Sequence, residues 1–266
     1  MPADALKLIV GRNIARLLPR LWMERELRYR PNHFEPELWL VPAVCDKEMI
    51  AIDVGANTGV YSYYMSKFSR DVIAFEPNTD LWKDLRRLLG KEFHLEAVAL
   101  SGKVSEATLR IDASNSGIST IEENNDMICA KDKEAIVSRV VQTRPLDGYQ
   151  LSEVSMIKID VEGHEEAVIE GAGDTIRRNR PVLIIESEDR HNPGSPRRLA
   201  ETFLNMAYRV FYVKDRQLLE FDSLREEDTD PERIGREGST YINNFVFIPS
   251  EQANKIERAQ ALLFAR

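Results

Sequence analysis

The residues Met49 to Asn78, MIAIDVGANTGVYSYYMSKFSRDVIAFEPN, constrain the fold more than any other stretch of this chain. Met49 to Val54 is a short apolar run broken only by Asp53 near its end, the pattern of a parallel strand buried on both faces. Gly55 and Gly59 bracket Ala56-Asn57-Thr58 as a tight turn. Val60, Tyr61, Tyr64, Met65 and Phe68 then recur at helical spacing, with Asn57 or Thr58 expected as the N-cap. A second apolar run, Val72 to Phe75, ends at Glu76, 21 positions beyond Gly55. The stretch is therefore a βαβ unit with an acid at the tip of its second strand.

Such a unit binds nucleotides. The glycine turn lets backbone approach a ligand closely, and an acid some 20 residues on accepts both hydroxyls of an adenosine ribose. The dinucleotide fingerprint G-x-G-x-x-G is absent, because Asn57 stands where its second glycine would be. Asp53-x-Gly55-x-Asn57-x-Gly59 suits a zwitterionic amino-acid tail better than a pyrophosphate. S-adenosylmethionine carries both that tail and the ribose.

At 266 residues the chain is long enough for one large α/β domain with an extension. Its formal charge of -8 argues against nucleic acid as a partner. Two cysteines, Cys45 and Cys129, and four histidines give neither a disulfide framework nor a zinc cluster, which fits a reduced cytoplasmic setting. No apolar run reaches the roughly 20 residues that span a bilayer. Residues 1–30 differ in composition, with seven basic residues against three acids and an apolar set (Leu6, Ile9, Val10, Ile14, Leu17, Leu18, Leu21, Trp22) at helical spacing. One reading is a basic face of Arg12, Arg16 and Arg20 on anionic lipid at the inner face of the membrane, or on a lipid-linked substrate; the other is a helix packed on the core or in a homodimer. The expected division is a helical extension and connector over 1–45, with Pro31, Pro36 and Pro42 lying over the site, and a Rossmann-like domain over 46–266.

Beyond the opening unit the chain alternates in the manner of a doubly wound sheet. A helix is expected over Asn78–Leu89 and a strand over Phe93–Leu100. An inserted hairpin with a polar loop follows at about 104–143. Val154 to Asp160 reads as a buried strand, Glu165–Arg178 as a helix, and Pro181 to Glu186 as the next strand. A helix (Ser195–Asn205), strands (Tyr208–Lys214, Tyr241–Ile248), a charged loop (Glu220–Gly238) and a terminal helix (Glu251–Phe264) complete the chain. The carboxyl ends of strands in an open sheet line the ligand crevice, so Asp53, Glu76, Asp160 and Glu186 converge on one edge, joined by Glu162 and His164.

Ile52 to Gly59 with Phe75-Glu76-Pro77-Asn78, then Ile157-Lys158-Ile159-Asp160-Val161-Glu162-Gly163-His164-Glu165 and Gly171-Ala172, resemble the FkbM family of S-adenosylmethionine-dependent methyltransferases. The resemblance covers roughly residues 45–190 and is weaker at Asn243 to Phe247. It implies the class I methyltransferase fold, a seven-stranded sheet whose last strand is antiparallel, and methyl transfer to sugar hydroxyls of polysaccharides, glycolipids or natural products. It places the methionine end of the cofactor on Asp53, Gly55, Asn57 and Gly59 and the ribose on Glu76, with Ala56, Thr58, Asn78 and Asp160 completing the set. It assigns no acceptor.

An alcohol is a poor nucleophile until its proton has a destination, so a base is expected within hydrogen-bond reach. His164 has a suitable ordinary pKa, with Asp160 or Glu162 orienting it. Alternatively His164 caps the following helix and Glu162 is the base, or Asp160, Glu162 and Glu186 hold a divalent ion that acidifies the hydroxyl. An NAD-dependent oxidoreductase and a non-catalytic cofactor-binding scaffold are the competing functional readings.

Overall fold

The computed structural model describes residues 17–91, 93–115, 118–123, 125, 135–234 and 240–265. Arg12, Arg16 and Cys129 lie outside them. Pro19 lacks the amide hydrogen that a first helical turn leaves unbonded, and it opens α1 (Pro19–Tyr29). Arg20, one of the three arginines of the lipid reading, donates to Leu88 O at 2.7 Å and Leu89 O at 2.5 Å. Short 3-10 turns begun by Pro31 and Pro36 lead into α2 (Val41–Val44), where Leu38, Leu40, Val41 and Val44 are buried and seat the connector on the core.

The opening βαβ unit forms as its pattern predicts: β1 (Ile50–Val54), α3 (Val60–Met65) and β2 (Asp71–Phe75), with β1 and β2 parallel. Asn78 caps the next segment, its side chain accepting from Asp80 N at 3.2 Å; a 3-10 turn passes into α4 (Trp82–Leu89). Arg20 therefore serves the last carbonyls of α4, which that helix cannot satisfy itself.

The expected strand over Phe93–Leu100 is two strands in two sheets. β3 (His94–Glu96) pairs with β2; the chain then leaves the main sheet at Ala97, and β4 (Val98–Leu100) pairs with a strand some 40 residues on. That second sheet is the expected insertion. β5 (Ser105–Asp112), β6 (Ser119–Thr120) and β7 (Ile136–Arg144) join β4 in the order β4-β7-β5-β6, with β5 and β7 antiparallel from Ser105↔Thr143 to Asp112↔Ile136.

β8 (Val154–Ile159) is buried throughout. The helix expected over Glu165–Arg178 is instead α5 (Glu165–Glu170) and α6 (Gly173–Asn179). The break falls at Gly171, which lies so close to β4 that a Cβ would stand 2.1 Å from Ser101 O. β9 (Val182–Glu186), α7 (Ser195–Asn205), β10 (Tyr208–Lys214), β11 (Gln217–Glu220), β12 (Asn244–Pro249) and α8 (Ala253–Phe264) follow.

The main sheet runs β11-β10-β12-β9-β8-β1-β2-β3. It has eight strands rather than the seven expected. The addition is β11, which folds back antiparallel on β10 through Asp215 and Arg216, both left-handed at φ 50° and 61°. Two central residues at positive φ are the geometry of a type I′ hairpin turn. β12 is antiparallel to β9 and β10, as the class I layout requires. One face of the sheet packs on α1 to α4 and α8, and the other on α5 to α7. The charged segment after β11 is ordered around Asp228, 1% exposed, whose carboxylate meets Lys214 at 2.6 Å, Arg225 at 3.3 Å and Arg233 at 3.6 Å. No helix among the described residues is long and apolar enough to cross a membrane.

Candidate active site

At the carboxyl end of β1 the chain turns on Gly55, left-handed at φ 80°, and a Cβ there would stand 1.8 Å from Asp160 O. Only a bare residue lets the two strand ends meet so closely. Gly55 N and Ala56 N donate to Phe75 O at 3.0 and 3.1 Å. Asn57 N donates to Glu76 Oε2 at 2.8 Å, Asn78 N donates to Glu76 Oε1 at 2.7 Å, and the Trp82 indole donates to Glu76 O at 3.0 Å. The tip of β2 is thus tied to the turn after β1. Burial pushes the Glu76 carboxyl up to about 7 despite those two amides.

The cap of α3 is Gly59, not Asn57 or Thr58. Asn57 is itself left-handed at φ 45°, with its amide turned to Glu76. Asp53 serves α3 from below: it is 2% exposed and accepts from Ser62 Oγ at 2.5 Å, and burial raises it to about 6. Its carboxylate is a structural anchor in this state.

Two cavities share this turn. One, about 610 Å³ of space open to solvent, is lined by Gly55, Asn57 and Glu76, by Ala99, Thr120 and Ile121, and by Asp160, Glu162 and His164. The other, about 690 Å³, lies between the same turn and the connector, lined by Asp53, Thr58, Tyr61, Lys158, His33 and Glu35. Gly55, Asn57 and Asp160 belong to both. Connector residues His33, Phe34, Glu35 and Leu38 thus line the second cavity.

His164 precedes α5 without a side-chain cap bond. Its Nε2 lies 2.9 Å from Ser101 Oγ and its Nδ1 3.0 Å from Glu122 Oε2. Both ring nitrogens are therefore engaged, and the residue ties β4, the inserted sheet and the β8–α5 turn together. Glu162 is held differently. It is left-handed at φ 55°, and its carbonyl accepts from Thr120 Oγ1 at 2.8 Å and Asn125 Nδ2 at 2.7 Å. Strain of this kind persists only where surrounding bonds impose it. Its carboxyl meets His191 Nε2 at 3.2 Å, and His191 Nδ1 lies 4.0 Å from Glu188 Oε1. Glu188 is clamped in turn by Arg190, at 2.5 and 2.6 Å, and by the Tyr241 hydroxyl. Gly163 makes this packing tight, since a Cβ would lie 3.1 Å from His191 Cβ. Burial, then the charges of Asp160, Glu188 and Glu165, push Glu162 up to about 9; burial and Arg190 push His191 down to about 4. Burial thus favours the uncharged form of both groups.

Lys158, 1% exposed, donates to Asn244 Oδ1 at 3.1 Å and lies 3.7 Å from Asp160 Oδ2. Burial alone would lower it, but Asp160, Glu35, Glu186 and Asp53 outweigh that and hold its ammonium above the usual range. The expected trio of Asp160, Glu162 and Glu186 does not form, because Glu162 turns to His191. Carboxylate oxygens of Glu35, Asp160 and Glu186 approach within 4.8 Å of one another, and the Lys158 ammonium stands at their edge. Glu186 itself accepts from Asn243 Nδ2 at 2.7 Å, and burial followed by the Asp160 charge raises it. Sequence reasoning missed Glu35, Ser101, Glu122, Lys158, Glu188 and His191. Only Lys158 left a signal, as a cation inside an otherwise buried apolar strand.

A doubly wound sheet whose last strand is antiparallel, with a glycine turn after its first strand and an acid at the tip of its second, defines the class I methyltransferases. The Methyltransferase FkbM domain matches residues 53–210, and the chain belongs to that family. No curated protein matches it significantly. Among solved structures it is similar to methyltransferase FkbM from Methylobacillus flagellatus KT (TM-score 0.49, 14% identity), with 92% of this chain covered and 60% of the other, so the chain spans three fifths of that protein's length. It is also similar to an rRNA methylase from Streptococcus thermophilus (TM-score 0.45, 12% identity, 84% and 98% covered). A third is precorrin-6y C5,15-methyltransferase from Geobacter metallireducens GS-15 (TM-score 0.44, 12% identity, 81% and 86% covered).

Proposed function

We propose that this methyltransferase uses S-adenosylmethionine to methylate a hydroxyl oxygen, on a sugar of a polysaccharide, glycolipid or natural product. The observation that carries the reading is the pair of cavities that share Gly55, Asn57 and Asp160, with Glu76 and Glu162 lining the first and His191 against the Glu162 carboxyl. The donor set fits the cofactor. Glu76 offers a carboxylate at the β2 tip for the ribose, Ala99 and Ile121 offer apolar walls for the base, and the glycine turn leaves room for the chain between.

When bound, the cofactor supplies a methyl group on a sulfonium, an electrophile with a neutral leaving group. The protein's share is alignment and a proton path. Glu162, in its ionised form, is the group placed to take the acceptor's hydroxyl proton, and burial makes it a stronger base than an ordinary carboxylate. His191 Nε2, 3.2 Å from one of its oxygens, orients it. His164, with both nitrogens engaged, holds the inserted sheet over the cofactor cavity. The NAD-dependent alternative finds no support in the turn, where Asn57 replaces the needed glycine.

Isothermal calorimetry with S-adenosylmethionine and with NAD tests the reading. Micromolar-range binding of the first, weakened at least about tenfold by Glu76→Ala, is the expected result. Binding of NAD alone, or of neither, overturns it.

A further inference from the structure

The turn sequence assigns Asp53 to the amino-acid end of the cofactor, yet its carboxylate is buried and already accepts from Ser62 Oγ at 2.5 Å. Asp160 has the Lys158 ammonium 3.7 Å away. Glu35 differs from both. It comes from the connector, on the far wall of the cavity that Asp53, Thr58 and Lys158 also line. Its Oε2 accepts from the Tyr61 hydroxyl at 2.9 Å, a neutral donor, and among the described residues no basic side chain forms an ion pair with it. One wall of this cavity therefore presents an ionisable oxygen whose charge is not matched by a contacting cation.

We propose that Glu35 receives the α-ammonium of S-adenosylmethionine, so that the connector, and not the residue at the end of β1, reads the charge of the amino-acid tail. The inference rests on the cofactor reading above. Three features support the placement. The cavity holding Glu35 shares Gly55, Asn57 and Asp160 with the one holding Glu76, so a ligand whose ribose is at Glu76 and whose tail follows the shared turn brings that tail toward Glu35. The Tyr61 bond fixes one carboxylate oxygen and leaves the other to a ligand. Lys158, surrounded by Asp160, Glu35, Glu186 and Asp53, leaves the carboxylates in excess, which favours entry of a second cation and gives the ligand's own carboxylate an ammonium to face. A charge-assisted hydrogen bond in such a place is the strong kind.

Two probes that differ only at the tail separate this from mere closeness. S-adenosylhomocysteine carries the ammonium; 5′-methylthioadenosine ends at the thioether methyl. Calorimetry on the full chain is expected to show Glu35→Gln weakening S-adenosylhomocysteine by about tenfold or more while 5′-methylthioadenosine stays within about twofold. Glu35→Asp should recover part of the loss, and Tyr61→Phe should cost less than Glu35→Gln. Unchanged S-adenosylhomocysteine binding in Glu35→Gln, or an equal loss for both probes, overturns the inference and leaves the cofactor reading standing. Wild-type protein that binds neither probe sinks the cofactor reading first and this inference with it.

Discussion

Two residues at the end of β8 look interchangeable as bases in the sequence and are separated by what their side chains touch. His164 spends Nε2 on Ser101 and Nδ1 on Glu122, whereas Glu162, which also lines the cavity, has one carboxyl oxygen 3.2 Å from an imidazole. Glu162→Gln keeps the shape and removes the proton path. It is expected to lower transfer of labelled methyl to the acceptor by about 10²–10⁴-fold while S-adenosylhomocysteine affinity stays within about twofold. His164→Phe breaks two part-buried hydrogen bonds, and its main effect is expected on stability, about 1–2 kcal/mol in urea unfolding. Transfer that survives Glu162→Gln and vanishes in a folded His164→Phe would reverse the two roles. That Glu162, His164 and Asp160 would come together along one cavity was legible from their position at a strand end. Their partners were not, because His191, Glu122 and Glu35 reach the site from three other segments, and no local pattern marks a contact made only when those segments close.

Elements were legible wherever one period held along a segment, and not where a segment served two neighbours. Phe93–Leu100 reads as one strand because its apolar alternation is continuous; the chain changes sheets inside it, at Ala97. The hairpin that adds β11 lacks the Asn-Gly or Asp-Gly signal, since Asp215-Arg216 adopts the left-handed turn without a glycine. Glu165–Arg178 reads as one helix, and Gly171 divides it because β4 presses on that position. A side chain at Gly171 must therefore push α5 and α6 away from Ser101, the residue that also meets His164. Gly171→Val is expected to cost at least about 2 kcal/mol in urea unfolding, in the range of overpacked cores. A loss below about 0.5 kcal/mol would mean that the close approach does not hold the helices in place.

Across the whole molecule buried carboxyls, some of them in the crevice, keep their protons well above the ordinary range, and this sets how stability follows pH. Burial is the leading cause for each: Asp53 rises to about 6, Glu76 and Glu165 to about 7, Glu37 to about 8 and Glu162 to about 9. Raised acids mean that the native state holds protons the unfolded chain has already released, so stability falls as pH rises from the unfolded values, near 4 to 4.5, through the folded ones. His191, lowered to about 4 by burial and Arg190, works in the opposite sense, but its window closes near 6.5. Between pH 6.5 and 9 only the carboxyl contribution of this set remains. Each tenfold change in proton affinity between the folded and unfolded chain is worth about 1.4 kcal/mol, and about 1 kcal/mol moves the Tm of a chain this size by about 2–4 °C. The Tm of the ligand-free protein, followed by scanning calorimetry, is therefore expected to fall by several degrees from pH 6.5 to 9. A cation placed among these groups offsets the repulsion that ionisation brings, so saturating S-adenosylmethionine should flatten the fall. A Tm that is level or rises over that range would show that these buried carboxyls ionise without cost to the fold.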